Sequence, residues 1–447
     1  MAKLRKMVLD GILNPVDLAA FMPMPAAETV VNVDDSIRAV IARALPGLHI
    51  KSIEEIPSGR IHVVYRVTDY GNSAVFVSFA PRRLAWMFRE DNDAVHAEAS
   101  LVQWINNDSQ QLPQVYEIQS DDLIPVENDL TLPNDSSCIR SFVPRLLEHR
   151  LMRLASHTPY NLFTSPPGQA LSSLPRSLTS MEYKSFQFQV GQLIRRISLL
   201  RSPTGRFGYA QHIVPPVPSE TNWIRHNAMV NTTGTSYPRW SDAFSAMFLN
   251  LTYDAENLGI NFSRQRCEST VARFKSFLDA VDEPRLLLLD AGSALNTLVQ
   301  TTPSTSEAGI KVTGLREWSC GVFGDPLFTA AFTDGTNPDL WDGYYTSLGP
   351  DAVNADYSGS PIVDRNHVFI RLLLYQIYHG LVTVVKAFVT RHPDSFDIQM
   401  QGRKKMMSSI RKLDEFDDQG KPIQEPPFLE ASSAKRFKSG NTSQRCT

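Results

Sequence analysis

The spacing of apolar residues changes rhythm twice along this chain. In VDDSIRAVIARALPG (33–47), Ile37, Val40, Ile41 and Ala44 fall on one helical face, Asp34 or Asp35 can cap the start, and Pro46-Gly47 ends it. The period then shortens to that of strands in HIKSIEEIP (49–57), IHVVYRVT (61–68) and AVFVSFAP (74–81). Ser58-Gly59-Arg60 turns between the first two, and DYGNS is hairpin chemistry between the second and third. Residues 91–106 read as a helix, and two more strands are expected around 115–119 and 137–143.

After Pro144 the helical period dominates. Residues 180–200, 239–259 and 266–281 are periodic, and 207–238, rich in Pro, Thr and Asn, reads as an inserted loop. LLLLDAGSALNTLV (286–299) breaks this run: an apolar strand ends in Asp290, and a second short strand starts at Asn296. A polar loop (300–309) and KVTGLREWSCGVFGDP (311–326) follow, then a strongly apolar helix or helix pair over 364–393. From 395 onward the chain turns charged, and that composition predicts a polar, disordered tail. The order predicts an α+β architecture of two lobes, an antiparallel-sheet N-lobe over 48–143 and a mostly helical C-lobe over 144–394. Residues 1–47 form an extension with one helix, and 395–447 form the tail.

Composition narrows the function classes. The 447 residues are 42% hydrophobic with a formal net charge of −3, enough chain for two lobes with a sizeable core. That balance gives no reason to expect nucleic acid or an anionic membrane as partner. Four scattered cysteines without metal-ligand spacing predict a reduced, intracellular, cytoplasmic protein. Asp10 and Pro15 interrupt the N-terminus before any signal-peptide core forms, and no apolar run is expected to span a bilayer. His62, His212, His226, His367 and His379 show no metal spacing and read as core or surface histidines.

The order of elements and several motifs resemble the aminoglycoside phosphotransferase and choline-kinase-like family, which has a protein-kinase-like fold. The resemblance spans about residues 48 to 393. It rests on the strands at 49–81, HAEASLVQWI (96–105), GQLIRRISLLRSPTGRFG (191–208), the loop at 286–299, and GLREWSCGVFGDP (314–326), of which the last is the most specific. It implies transfer of phosphate from ATP, with Mg2+, to a hydroxyl of a small molecule. Asp290 is then the candidate base, and Asn296 and Glu317 are the candidate metal ligands, because magnesium takes hard oxygens from carboxylate and carboxamide. On the nucleotide side it implies Gly59 and Arg60 in the strand turn, Ser78 on the third strand and Glu98 on the following helix.

The match is rearranged at each of these places. Asp290 and Asn296 are one residue further apart than in the family's loop, and the His expected before the base is missing. Ser78 stands where the family has a Lys or Arg that grips phosphate and pairs with the helix Glu; Arg60, Arg66, Arg82 or Arg83 are the cations that could replace it. Glu317 is one methylene longer than the usual Asp, and Thr329 replaces an acid that braces the site. Asn296 reads equally as a loop-capping residue, and Glu317 as a solvated strand-end acid.

The expected function is an ATP-dependent phosphotransferase with a rearranged active site. The alternatives are a catalytically inactive, pseudokinase-type binding or regulatory protein, and a cleft repurposed for another small-molecule reaction. The acids Glu220, Asp242, Asp254 and Glu256 suit a cationic acceptor or serve as solvated loop charges. The sequence does not fix the oligomeric state.

Overall fold

The computed structural model describes residues 33–58, 62–80, 94–107, 139–150, 159–217, 236–301, 309–335, 337–346, 362, 365–390 and 394–423. Gly59, Arg60, Arg82, Arg83, Glu220, the expected strand at 115–119, and the ends at 1–32 and 424–447 lie outside the described residues. The chain divides into two compact units, one holding residues up to Arg82 with Pro144–Ser165, the other Arg83–Val143 with Pro166 onward.

The first unit contains α1 (Val33–Ala44), β1 (Ile50–Ile56), β2 (Val63–Asp69), β3 (Ala74–Phe79), β4 (Arg145–Arg150) and β5 (Tyr160–Thr164). The strands form one antiparallel sheet in the order β1-β2-β3-β5-β4. Its buried face, Val67, Val75, Val77, Tyr160 and Leu162, packs on Ile37, Val40 and Ile41 of α1, the face that the helical spacing predicts. In the β2–β3 turn, Asn72 takes a positive φ of 60° and Ser73 N–H donates to Asp69 Oδ1 at 2.6 Å. The expected strand at 137–143 is instead a single 3-10 turn, Ile139–Phe142, and the strands lie beyond Pro144. Pro144 supplies no N–H to a ladder, so pairing begins only at Arg145.

The second unit contains α2 (Ala94–Asn107), β6 (Gln169–Ala170), α3 (Ser180–Ile197), β7 (Gly208–Tyr209), α4 (Trp240–Asn257) and α5 (Arg264–Phe274). It continues with β8 (Arg285–Leu288), β9 (Thr297–Thr301), β10 (Ile310–Leu315), β11 (Gly321–Gly324), α6 (Pro338–Tyr345), α7 (Val368–Thr390) and α8 (Ser395–Asp414). Helix α2, expected with the first lobe, packs in this unit: a Cβ on Gly321 would collide with Leu101, and Trp104 meets Phe323 edge to face. Thr179 and Glu182 start α3 with a reciprocal capping box. The short strands make two small sheets, β7-β11-β8 and β10-β9-β6.

The core of this unit is aromatic and charged at once. Trp240, Phe244, Phe328, Tyr375 and Tyr378 pack ring on ring. Among them, Asp325 accepts hydrogen bonds from Arg371 Nη1 at 2.7 Å, Tyr375 Oη at 2.8 Å and Leu327 N–H at 3.1 Å, and Trp240 Nε1 donates to Tyr375 Oη at 2.8 Å. The Asp325–Arg371 pair is fully buried, so each charge depends on the other for compensation.

Two expectations about the C-terminal third are corrected. First, Val368–Val389 of α7 is long and apolar enough by composition to cross a membrane, with mean hydropathy 1.6, although no such run is expected from sequence. Of that window 67% is buried inside the protein, where α4, α5 and α8 cover it. Second, the polar tail does not begin at 395, because Ser395–Asp414 is a helix. Its buried residues, Gly402, Met406, Ser409, Ile410 and Leu413, follow helical spacing, while its charges lie on other faces. Gly402 lets α8 approach α7 at Gly380; a Cβ on either would sit 2.7–2.8 Å from the other's carbonyl oxygen. The contact of α3 with α6 is closer still, since a Cβ on Gly343 would overlap the Phe188 backbone.

Two predictions follow from this packing. Gly343→Ala should lose about 3 kcal/mol by forcing backbone against backbone, whereas Gly47→Ala, with no atom near its missing Cβ, serves as the neutral control in urea melts. His379 donates Nε2–H to Phe328 O at 2.7 Å, and burial pushes its pKa from 6.5 down to about 4. The unfolded chain therefore takes up this proton first, and the stability present above pH 6.5 is lost as pH falls toward 4. His379→Gln should lose about 3 kcal/mol less than the parent over that window in pH-dependent chemical denaturation.

Candidate functional site

The site arises where two segments cross between the small sheets of the second unit. Pairing of β8 with β11 sets Leu288 opposite Gly321, so the chain leaves β8 at Leu289 beside Cys320, and Leu289 N–H donates to Cys320 O at 3.4 Å. Pairing of β9 with β10 sets Thr297 opposite Leu315, so the same loop enters β9 beside residues 316 and 317. Residues 289–296 thus cross from one sheet to the other, and 316–320 cross back alongside them.

The extra residue in the first segment is absorbed locally. Ser293 N–H donates to Asp290 O at 2.9 Å, Asn296 and Thr297 N–H both donate to Ser293 O, and Gly292 takes φ 91° between Val190 and Ala331. The loop is a succession of tight turns, and Asp290 remains directed at the crossing. Asp290 Oδ1 accepts from Asn296 Nδ2 at 3.2 Å and from the Cys320 thiol at 2.8 Å.

Asn296 is the centre of the arrangement. Its Oδ1 accepts from Arg316 N–H at 3.0 Å and Glu317 N–H at 2.8 Å, and its Nδ2 donates to Glu317 O at 2.9 Å as well as to Asp290. The backbone partners fix which amide atom is oxygen, because two are donors and one is an acceptor. The carboxamide extends the β9–β10 ladder past its last backbone pair, which is the loop-capping role.

The acids implied by the resemblance are engaged in the same way. Glu317 Oε1 accepts from Arg316 Nη2 at 2.9 Å and Nε at 3.3 Å, with the side chains 5% and 6% exposed. Glu98, buried on α2, accepts Trp318 N–H on Oε1 at 3.0 Å. Asp325 of the Gly-Asp-Pro segment serves the core described above. Thr329 is fully buried and its Oγ1 has no hydrogen-bond partner, so it supplies none of the bracing that an acid there would give.

Asp290, Asn296, Glu317 and Glu98 are brought together within the second unit. Ser78 is elsewhere, buried on β3 of the first unit between Val64 and Asn161, with its Oγ unpartnered; Arg66 on β2 is exposed. Sequence reasoning missed Arg316 and Cys320. The one signal for Arg316 is a charged pair, Arg-Glu, set inside an otherwise apolar run.

The donor set was tested against a magnesium ion held by Asn296 and Glu317, and it does not fit. Both acceptor directions of Asn296 Oδ1 are taken by backbone N–H groups, and Glu317 already has a guanidinium on its carboxylate. Among the described residues no group of three or more His, Cys, Asp or Glu side chains is arranged to hold a metal.

No protein-family model and no curated protein matches the sequence. Solved structures do. The chain is similar to APH(2")-IIia in its GDP and kanamycin complex, at 14% identity and TM-score 0.46, covering 84% of this chain and 99% of that one. It is also similar to a fructosamine-3-kinase of Thermobifida fusca YX-ER1, so described provisionally in its own structure, at 16% identity and TM-score 0.42, covering 82% and 99%. A third is the macrolide 2'-phosphotransferase MphH of Brachybacterium faecium, at 12% identity and TM-score 0.43, covering 83% and 97%. All three likenesses are distant.

The clamp yields a prediction. Asn296→Ala would leave the buried Glu317 N–H and Glu317 carbonyl without the amide, each worth about 1 kcal/mol or more, while the Arg316 N–H keeps its bond to the Asn296 main-chain carbonyl at 3.0 Å. Denaturant melts should show a loss of about 2 kcal/mol or more, far above that of a surface Asn→Ala.

Proposed function

We propose that this chain is a small-molecule phosphotransferase whose acceptor is a hydroxyl group and whose donor is ATP. The observation that supports this reading is the convergence of Asp290, Asn296 and Glu317, which are remote in sequence from Glu98, at one crossing with it. Phosphoryl transfer asks the protein mainly to position groups and stabilise charge, and a carboxylate in place to receive the acceptor proton. Asp290 is that carboxylate. Two donors on its Oδ1, the Asn296 amide and the Cys320 thiol, fix its plane, and the turns of the loop hold its backbone. The acids of α4 do not select the acceptor, because Asp242 pairs with Arg239, Glu256 pairs with Arg264 and Asp254 is buried; amino alcohols and amino sugars are therefore screened beside neutral hydroxyl compounds.

A second reading, a protein of this fold that binds its ligands without transfer, is favoured by a different observation: Asn296 and Glu317 are already satisfied by the protein itself. One experiment separates the two. ADP release from ATP is measured with a panel of such acceptors, beside nucleotide binding by calorimetry. The transfer reading expects acceptor-dependent ADP release that falls about 100-fold or more in Asp290→Asn with ATP affinity unchanged. ATP binding with no release above the blank across the panel would establish the second reading instead.

A further inference from the structure

We infer that the Arg316 guanidinium takes the electrostatic place at Glu317 that a divalent cation fills in the resemblance, so this site carries its own fixed cation and takes no metal there. The inference deepens the proposed phosphotransferase reading and relies on it only for the identity of the ligand that this charge would face.

Three features of the chain converge on it. The first is burial: Glu317 and Arg316 are both nearly inaccessible, and a buried carboxylate persists only beside a compensating cation. The guanidinium meets one carboxylate oxygen with two N–H groups, Nε and Nη2. The second is rigidity. Adjacent side chains on a strand point to opposite faces, yet these two meet, because the β10 ladder ends at Leu315 and the chain bends at Arg316. Asn296 Oδ1 then pins both residues' N–H groups and Nδ2 pins the Glu317 carbonyl. The clamp fixes the backbone from which both side chains project.

The third feature is the state of the second implied ligand. The oxygen that Asn296 would lend to a metal has both lone-pair directions filled by main-chain donors, and flipping the amide would set N–H against N–H. A divalent cation here would have to displace Arg316, strip the Asn296 side chain from the backbone and lose the pairing of the Glu317 N–H and C=O. A guanidinium needs none of this, and unlike a metal it is not removed by a chelator.

The test is direct binding of Mn2+ to the full chain without nucleotide, read by the free-ion paramagnetic resonance signal and by the Mn2+-dependent shift in melting temperature. Wild type and Glu317→Gln are expected to bind Mn2+ indistinguishably. Arg316→Met is expected to gain a site at least about tenfold tighter, lost again in the Arg316→Met, Glu317→Gln double variant. A wild-type site that disappears in Glu317→Gln overturns the inference. So does a folded Arg316→Met that binds Mn2+ no better than wild type. If Arg316→Met does not fold, the comparison of wild type with Glu317→Gln decides alone. Because no nucleotide or acceptor is present, failure of the transfer reading in the ADP assay leaves this outcome unaffected.

Discussion

One side-chain amide holds the candidate site together. The Asn296 carboxamide spans two chain segments that cross between separate sheets, and it binds the main chain of one while steering a carboxylate of the other. Each small sheet of the second unit is too short to fix the crossing by its own ladder, with β8 and β11 contributing four residues each. A buried amide with every donor and acceptor used is therefore a positional constraint as strict as a ladder pair. The geometry of Asp290, Glu317 and Trp318 follows from it.

The same economy governs the charges. Asp325 is shared by Arg371, Tyr375 and a backbone N–H, Glu98 receives the Trp318 N–H, and Glu317 is held by Arg316. Burial and the neighbouring Asp325 carboxylate push the Tyr375 hydroxyl well above its ordinary pKa, so it stays protonated and can donate. Acids that read from sequence as ligands or solvated ends are thus internal connections, tying α2 and α7 to the loops between the strands. Asp290 differs: its Oδ1 accepts from two side chains, one of them a thiol, which is a weak donor. Of the acids the resemblance points to, it is the one whose connections could be exchanged most easily for those of a ligand.

Much of this was legible in the sequence, and the failures have common causes. Helix α1, strands β1 to β3, and helices α2, α3 and α4 follow from the spacing of their apolar residues, even though α2 is buried on nearly every side and β1 is only partly buried. Strand β4, RLLEHR, carries three charged residues and a histidine beside two leucines and has no alternation to read. Helix α8 includes the small residues Gly402 and Ser409 on its buried face, Gly402 for close approach to α7, and the Arg403-Lys404-Lys405 run beside them makes the stretch read as polar. For the site, the spacing of Asp290 and Asn296 was read as a question about one residue too many. The answer lay in Gly292, whose positive φ lets the surplus residue be taken up in tight turns. The partner choice of Asn296 had no sequence signal, because it depends on the register of β9 against β10 and on the bulge there.

The chain leaves the β10 ladder after Leu315 and bends at Arg316. In a regular strand Arg316 and Glu317 would face opposite sides, and one of two buried charges would need a partner from another element. By ending the ladder at Leu315 the chain lets two consecutive residues neutralise each other, and the site gains a cation without recruiting one from a distant segment. The consequence reaches beyond Glu317. A neutral, internally bonded pair projects less field into its surroundings than an unpaired carboxylate, so Asp290 shares the crossing with a compensated acid. Two acids can therefore stand at one crossing, Glu317 compensated by its sequence neighbour and Asp290 held by the Asn296 amide and the Cys320 thiol.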